Sequence, residues 1–297
     1  MAEVIKKYMR GKQIIQLLKL HGPLSYRALK RMIEPAMTKG KLLRALQRLQ
    51  KKNYVERRFE RVFAGKGVFY NLCQQEDVLK EIAEFTGLGV DELKQPHFRH
   101  RELLHSECCA LWVHVLMKMF PEAEIVRDFD FQNSKGAEKI MLASAQELYL
   151  YPDLLLIFPE SKTQKEVAIA VEIERTPKTV RRLRQKLKKY ANGTHVDGVI
   201  YLCDTQHITN SIFKVYSEKP LQDSKRVGHY SENFLLFGDS LSIHTDRFYE
   251  LFNSRFKTVF LPDWITYLRD TRLNSRRDSN FKMGVLRSPH EKQLKRI

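Results

Sequence analysis

The stretch YPDLLLIFPE, residues 151–160, decides how this chain is read. Leu154 to Ile157, with Phe158 behind them, form an apolar run of the kind that predicts a strand buried on both faces. Asp153, preceded by Pro152, stands at its mouth. A few residues on, VAIAVEIERT (167–176) repeats the arrangement, an apolar run followed by Glu172 and Glu174. Side chains alternate along a strand, so Glu172 and Glu174 share one face and Ile173 takes the other. The intervening PESKTQKE (159–166) is short enough for a hairpin, whose register would bring Asp153 within reach of Glu172. Acids gathered at two strand ends suit a hard divalent cation such as Mg²⁺, which takes oxygen ligands and keeps several waters. Such an ion activates water and steadies the charge that develops on a scissile phosphate.

Outward from these strands the chain alternates helix and strand. RELLHSECCALWVHVLMKMF (101–120) predicts a long helix with Leu104, Cys108, Leu111, Val115 and Met119 on one stripe, ended by Pro121. AEIVRDFDF (123–131) reads as a strand, followed by the polar QNSKGAEK. After RTPKTV come a helix at VRRLRQKLKKYA (180–191), a buried strand at DGVIYLCD (197–204), a helix at HITNSIFKVYSE (207–218) and a strand at ENFLLFGD (232–239). The order α-β-β-β-α-β predicts an α/β core in which a helix joins the third and fourth strands. On that helix Leu183, Leu187 and Tyr190 mark the inward stripe, and Lys186 falls on the same side.

The net charge of +17 over 297 residues is unevenly spread. Residues 1–75 hold 18 Lys and Arg against 4 Asp and Glu, and residues 272–297 hold 8 against 2. The remainder holds 26 against 29, so two basic ends flank a near-neutral middle. That asymmetry points to a polyanion, most commonly double-stranded DNA. No apolar run approaches membrane length, and MAEVIKKYMRGK lacks the apolar core of a signal peptide. The four cysteines, Cys73, Cys108, Cys109 and Cys203, show neither CxxC pairing nor histidines at zinc spacing, so a reduced, cytoplasmic protein is expected.

The basic first block predicts three helices and a hairpin. KQIIQLLKLHG places Ile14, Leu17, Leu18 and Leu20 at helical spacing and stops at Gly22-Pro23. LSYRALKRMI begins with Ser25 as N-cap and continues with Leu29, Met32 and Ile33. TKGKLLRALQRLQKKNYV takes Thr38 as cap, buries Leu42, Leu43, Leu46 and Leu49, and turns Lys39, Lys41, Arg44, Arg48 and Lys51 outward. YVERRF and GVFYNL then form short strands joined through ERVFAGKG, which bring Arg57, Arg58, Arg61 and Lys66 to a basic hairpin. This pattern resembles winged-helix domains, in which the third helix enters the major groove while the hairpin touches phosphate or the minor groove. The competing expectation is a helical protein-interaction module with a basic face.

Proline-aspartate opening one strand and an apolar strand ending in acid-x-acid or acid-x-lysine are the signature of the PD-(D/E)xK nuclease superfamily. Here they are Pro152-Asp153 and Glu172-Ile173-Glu174, with Glu174 where lysine is usual and Lys186 placed to substitute for it. The wider order of motifs is a basic winged helix, LLHSECCALW, YPDLLLIF, VAIAVEIERTPKT and RLRQKLKKY. It is similar to the replication-relaxation family and the related MobC-type mobilisation relaxases, over roughly residues 10–205. The resemblance implies a restriction-endonuclease-like mixed-sheet core and a Mg²⁺- or Mn²⁺-dependent DNA nickase acting at an origin of transfer. It implies Asp153, Glu172 and Glu174 as metal-centred acids, Lys186 as auxiliary cation, and His105 or Glu107 as helpers. Accessory mobilisation proteins and a coupling protein are the partners it suggests.

The implied layout is a winged helix over 1–75, a connector over 76–98, the nuclease-like domain over 99–271 and a basic tail over 272–297. No HxH cluster of the histidine-rich relaxases is present, and His195 and His207 fall in or near loops. Tyr149, Tyr151 and Tyr190 lie near the site in sequence and leave a covalent tyrosine intermediate open beside hydrolysis by water. A non-enzymatic DNA-binding replication or mobilisation regulator on a decayed nuclease fold is the competing class.

Overall fold

Helix α1 spans Ala2–His21 in the computed structural model, which describes residues 2–33, 37–62, 65–95, 103–127, 152–161, 164, 166–192, 196–217, 235–239, 250–252 and 258–269. It buries Ile14, Ile15 and Leu18, while Leu20 is exposed. Gly22 ends it in the left-handed region (φ 77°), its N–H donating to Leu18 O at 2.8 Å, a conformation that costs glycine nothing. Strand β1 (Leu24–Ser25) leads into α2 (Tyr26–Ile33), where Ser25 Oγ accepts the Ala28 N–H at 3.2 Å as the expected cap. In α3 (Lys39–Lys51) the extended Thr38 takes the Leu42 N–H on its backbone carbonyl, and its side chain makes no cap bond. Leu42, Ala45, Leu46 and Leu49 form the buried stripe. Leu43, expected among them, is exposed, because i, i+3, i+4 spacing selects Ala45 and turns position 43 outward.

Strands β2 (Val55–Val62) and β3 (Gly65–Leu72) pair antiparallel from Val55↔Leu72 to Val62↔Gly65. They are longer than the sequence suggests, since Glu60, Arg61 and Val62 continue the ladder. Strand β1 pairs antiparallel with β3, giving a three-stranded sheet of order β1-β3-β2, and α1 packs on α3.

The segment expected as a connector folds onto this unit. Helices α4 (Glu76–Thr86) and α5 (Val90–Leu93) are held to α1 through Lys12 Nζ on Thr86 O at 3.2 Å and through Gln95 Nε2 on Leu18 O. Helix α6 (Leu103–Met119) begins in the same unit: Leu103 packs on Phe69, and the Glu107 carboxylate accepts the Ser25 backbone N–H. The chain divides at Leu116/Met117, inside α6, rather than near residue 98. From Cys108 to Val113 this helix is buried around its whole circumference, where a single stripe was expected. The four cysteines are buried and form no disulfide.

The second unit is built on a seven-stranded mixed sheet. Its strands are β4 (Glu124–Arg127), β5 (Leu154–Phe158), β6 (Val167–Glu174), β7 (Gly198–Cys203), β8 (Leu235–Asp239), β9 (Glu250–Phe252) and β10 (Thr258–Phe260), in the order β10-β9-β8-β7-β6-β5-β4. Strand β5 pairs antiparallel with both β4 and β6, whereas β6, β7 and β8 run parallel. Helices α7 (Val180–Asn192) and α8 (Gln206–Tyr216) cover one face through Leu183, Leu187, Tyr190, Ile208 and Ile212. Helix α9 (Leu261–Arg269) approaches the other face so closely that a Cβ on Gly198 would lie 2.5 Å from the Trp264 ring. Among the described residues the elements follow in the expected α-β-β-β-α-β order, and β5 and β6 pair antiparallel as the expected hairpin requires. The second half of the strand expected over 123–131, the QNSKGAEK segment, Tyr149, Tyr151, His195 and the tail 272–297 lie outside the described residues.

Candidate active site

The site is made by register. Strands β5 and β6 pair as Leu154↔Val171, so the next position sets Asp153 opposite Glu172. Asp153 Oδ2 accepts the Ile173 backbone N–H at 2.6 Å, which pins this carboxylate to the neighbouring strand. Strand β6 is central, between β5 and β7, and both its acids are sequestered: Glu172 is 0% exposed and Glu174 2%. An outer, wetted strand face is thereby excluded. Arg175, the residue that follows Glu174, pairs with Asp204, Nε to Oδ2 at 3.0 Å. The Asp204 N–H also donates to Glu174 O at 3.1 Å, fixing the ends of β6 and β7 to each other.

Helix α7 supplies the cation. Thr179 caps it, its carbonyl taking the Leu183 N–H at 3.0 Å, and Leu183, Leu187 and Tyr190 seat it on the sheet. This packing turns Lys186 inward, where its ammonium contacts Glu172 Oε2 and lies 3.6 Å from Glu174 Oε1. Lys188 is exposed, as expected of a residue on the outer face. Two further partners were not legible as such in the sequence. Tyr190 donates its hydroxyl to Glu172 Oε1, and Lys178, in the non-helical segment before α7, closes on Glu174 Oε1. Tyr190 carried an apolar signal only; Lys178 lies outside any periodic element, so no spacing pointed to it. Tyr201 stands opposite Glu172 on β7, fully buried, with no hydrogen-bond partner for its hydroxyl among the described residues.

Burial sets the electrostatics. It pushes the Glu172 carboxyl up to about 7 against the pull of the Lys186 charge, and the Asp153 charge adds to the rise. For Lys186 burial acts downward, but Glu172, Asp153 and Glu174 outweigh it and hold the ammonium above its ordinary value. The Tyr190 and Tyr201 hydroxyls are driven well above the usual phenol range by burial and then by the nearby Glu172 charge. Burial thus favours the neutral phenol at both positions, and of the two Tyr190 is the one that donates to Glu172.

Asp153, Glu172, Glu174 and Lys186 are thus brought together, as the sequence suggests. His105 and Glu107 belong to the first unit and have partners there: His105 Nε2 lies 3.6 Å from Cys109 Sγ, and Glu107 holds Ser25. His207 is exposed at the start of α8. On α3, Lys39, Lys41, Arg44, Arg48 and Lys51 are all exposed; Arg57 is exposed on β2 and Arg58 half-buried. The side chains of Arg61 and Lys66 lie outside the described residues.

Three carboxylates at two adjacent strand ends are, as donor chemistry, a fit for a hard divalent ion. In the arrangement present Glu172 and Glu174 are closed on the chain's own ammonium groups, and Asp153 is held by the Ile173 N–H. Among the described residues no three His, Cys, Asp or Glu side chains stand as a ready metal-holding group. No helix among the described residues is long and apolar enough to cross a membrane. Comparison with protein-family models, with curated proteins and with solved structures gave no match in any of the three.

Proposed function

We propose that this chain is a DNA-nicking endonuclease of the PD-(D/E)xK type, carried to an origin of transfer or replication by a winged helix. The observation that carries the reading is Lys186: from the helix between the third and fourth core strands it meets Glu172 and Glu174, across from Asp153. The succession α6-β4-β5-β6-α7-β7, with two antiparallel pairs followed by a parallel one, supports the same reading.

Asp153, Glu172 and Glu174 would hold Mg²⁺ or Mn²⁺, which when bound supplies an activated water and neutralises charge on the phosphate. The chain's own residues prepare for this. The Ile173 N–H orients Asp153, Tyr190 orients Glu172, and Lys186 offers an ammonium beside the place where negative charge grows. In the first unit, the cationic outer side of α3 and the hairpin β2–β3 support major-groove reading flanked by phosphate contacts.

A second reading, a non-enzymatic DNA-binding regulator, is favoured by one observation: each buried acid of β6 already has an ammonium partner. A nicking assay on a supercoiled plasmid that carries the origin of transfer or replication separates the two. Nicking that needs Mn²⁺ and disappears in Asp153→Ala supports the nuclease; salt-sensitive binding without nicking supports the regulator.

A further inference from the structure

The reading above, on which this inference rests, leaves Lys178 without a role. Its ammonium and that of Lys186 converge on the same oxygen, Glu174 Oε1, at the end of β6. The two lysines are held differently. Lys186 lies on α7 between Leu183 and Leu187, which are 2% and 4% exposed, and also grips the fully buried Glu172. Lys178 sits in the non-helical run before α7, with Thr176, Pro177 and Thr179 around it all exposed. Its side chain is 21% exposed, close to the 17% of Lys186, so the two lysines differ in the element that carries them and in their partners rather than in burial. Lys178 meets one carboxylate from an exposed, non-helical segment, whereas Lys186 meets two from a helix seated on the sheet.

Charge gives that difference a purpose. With the acids ionised, three carboxylates face two ammonium groups, and a dication added to this set would leave an excess positive charge in a buried place. Excess buried charge is costly. Three carboxylates, one ammonium and one dication are neutral. We propose that Lys178 is a displaceable counter-ion: it occupies Glu174 in the metal-free protein and is expelled to solvent when a divalent cation binds the acids, while Lys186 stays. The segment before α7 then links metal loading to an exposed lysine beside Arg181 and Arg182, where it can meet DNA phosphate.

The test uses the full chain and Mn²⁺ alone, with binding followed by loss of the free-ion electron paramagnetic resonance signal. Lys178→Gln should bind Mn²⁺ about tenfold more tightly or better, and Lys178→Arg should bind like the wild type. Both should depend on Asp153. In the wild type, amine labelling of Lys178 read by mass spectrometry should rise several-fold when Mn²⁺ is added, while Lys188 labels equally in both conditions. Asp153-dependent Mn²⁺ binding that is unchanged by Lys178→Gln, or Lys178 labelling indifferent to Mn²⁺, overturns the displacement and leaves the nuclease reading intact. If neither wild type nor Lys178→Gln takes up Mn²⁺ through Asp153, the metal site itself is refuted and the displacement with it. The labelling arm needs no substitution, so a Lys178→Gln chain that failed to fold would not shield the proposal.

Discussion

The ammonium of Lys186 rests on Glu172 although the two are 14 residues apart and on different elements, one on a helix and one on the strand beneath it. Because Glu172 is wholly buried, this contact is structural as well as chemical. Removing one partner of a buried pair costs about 3–5 kcal/mol, since the other is left without compensation. Lys186→Met should therefore lower unfolding stability by about 3 kcal/mol, softened where Glu172 takes up a proton. Lys188→Met, on the exposed face, should change it by less than about 0.5 kcal/mol. Urea denaturation of the three proteins decides the matter, and equal midpoints would make the Lys186 contact energetically idle.

Catalysis should follow the acids. Asp153→Ala and Glu172→Ala are each expected to abolish nicking while leaving DNA affinity nearly intact, because the excess of Lys and Arg lies in residues 1–75 and 272–297. Lys186→Ala should slow single-turnover nicking about tenfold or more, which corresponds to roughly 1.4 kcal/mol of transition-state stabilisation. Lys188→Ala should weaken association only, and lower salt should restore it. Wild-type rates in both acid variants would remove the assigned site.

How far this site could be read from sequence depends on which residues obey a period. Asp153, Glu172 and Glu174 were legible because strand alternation and a short connection fix their relation, and Lys186 because three helical neighbours point inward. Lys178 obeys no period. The role of Tyr190 was hidden for another reason: an aromatic at an inward position signals packing, and only the packed structure shows its hydroxyl on Glu172. In the first unit Leu43 was assigned to the core on hydrophobicity while Ala45, less apolar, took the buried place. The compact units meet at Leu116/Met117, and polar side chains such as Lys12 and Gln95 hold α4 and α5 to α1. Bonds of that kind leave no mark on hydropathy.

Tyr190 bears on the choice between water and tyrosine as nucleophile. Its hydroxyl is buried, neutral and committed to Glu172, which suits a donor that orients the carboxylate and not an attacking oxygen. Tyr190→Phe should lower stability by about 1.5–3 kcal/mol, the range for a hydrogen bond to a charged group, and should still nick DNA. A covalent protein–DNA adduct seen in the wild type and missing in Tyr190→Phe would reverse this assignment.

The last prediction concerns the first unit. Arg44 and Arg48 project from the exposed side of α3, one turn apart, with Arg44 Nε braced on Gly40 O at 3.1 Å. A braced guanidinium loses less freedom on contact and can meet guanine with two parallel hydrogen bonds, worth about 1–3 kcal/mol of discrimination. Lys39, Lys41 and Lys51 have compact charges on flexible stems and suit phosphate. Arg44→Ala or Arg48→Ala should therefore cost about tenfold or more on the origin sequence and little on unrelated duplex. Lys51→Ala should weaken both alike and reduce the slope of affinity against salt by about one. These substitutions are made in the full chain, because α6 begins within the first unit and a cut near residue 98 would part Leu103 from Phe69. Titration of origin and scrambled DNA at several salt concentrations measures all of these effects. Equal losses on both sequences for every variant would leave α3 a general cationic surface and assign sequence reading elsewhere.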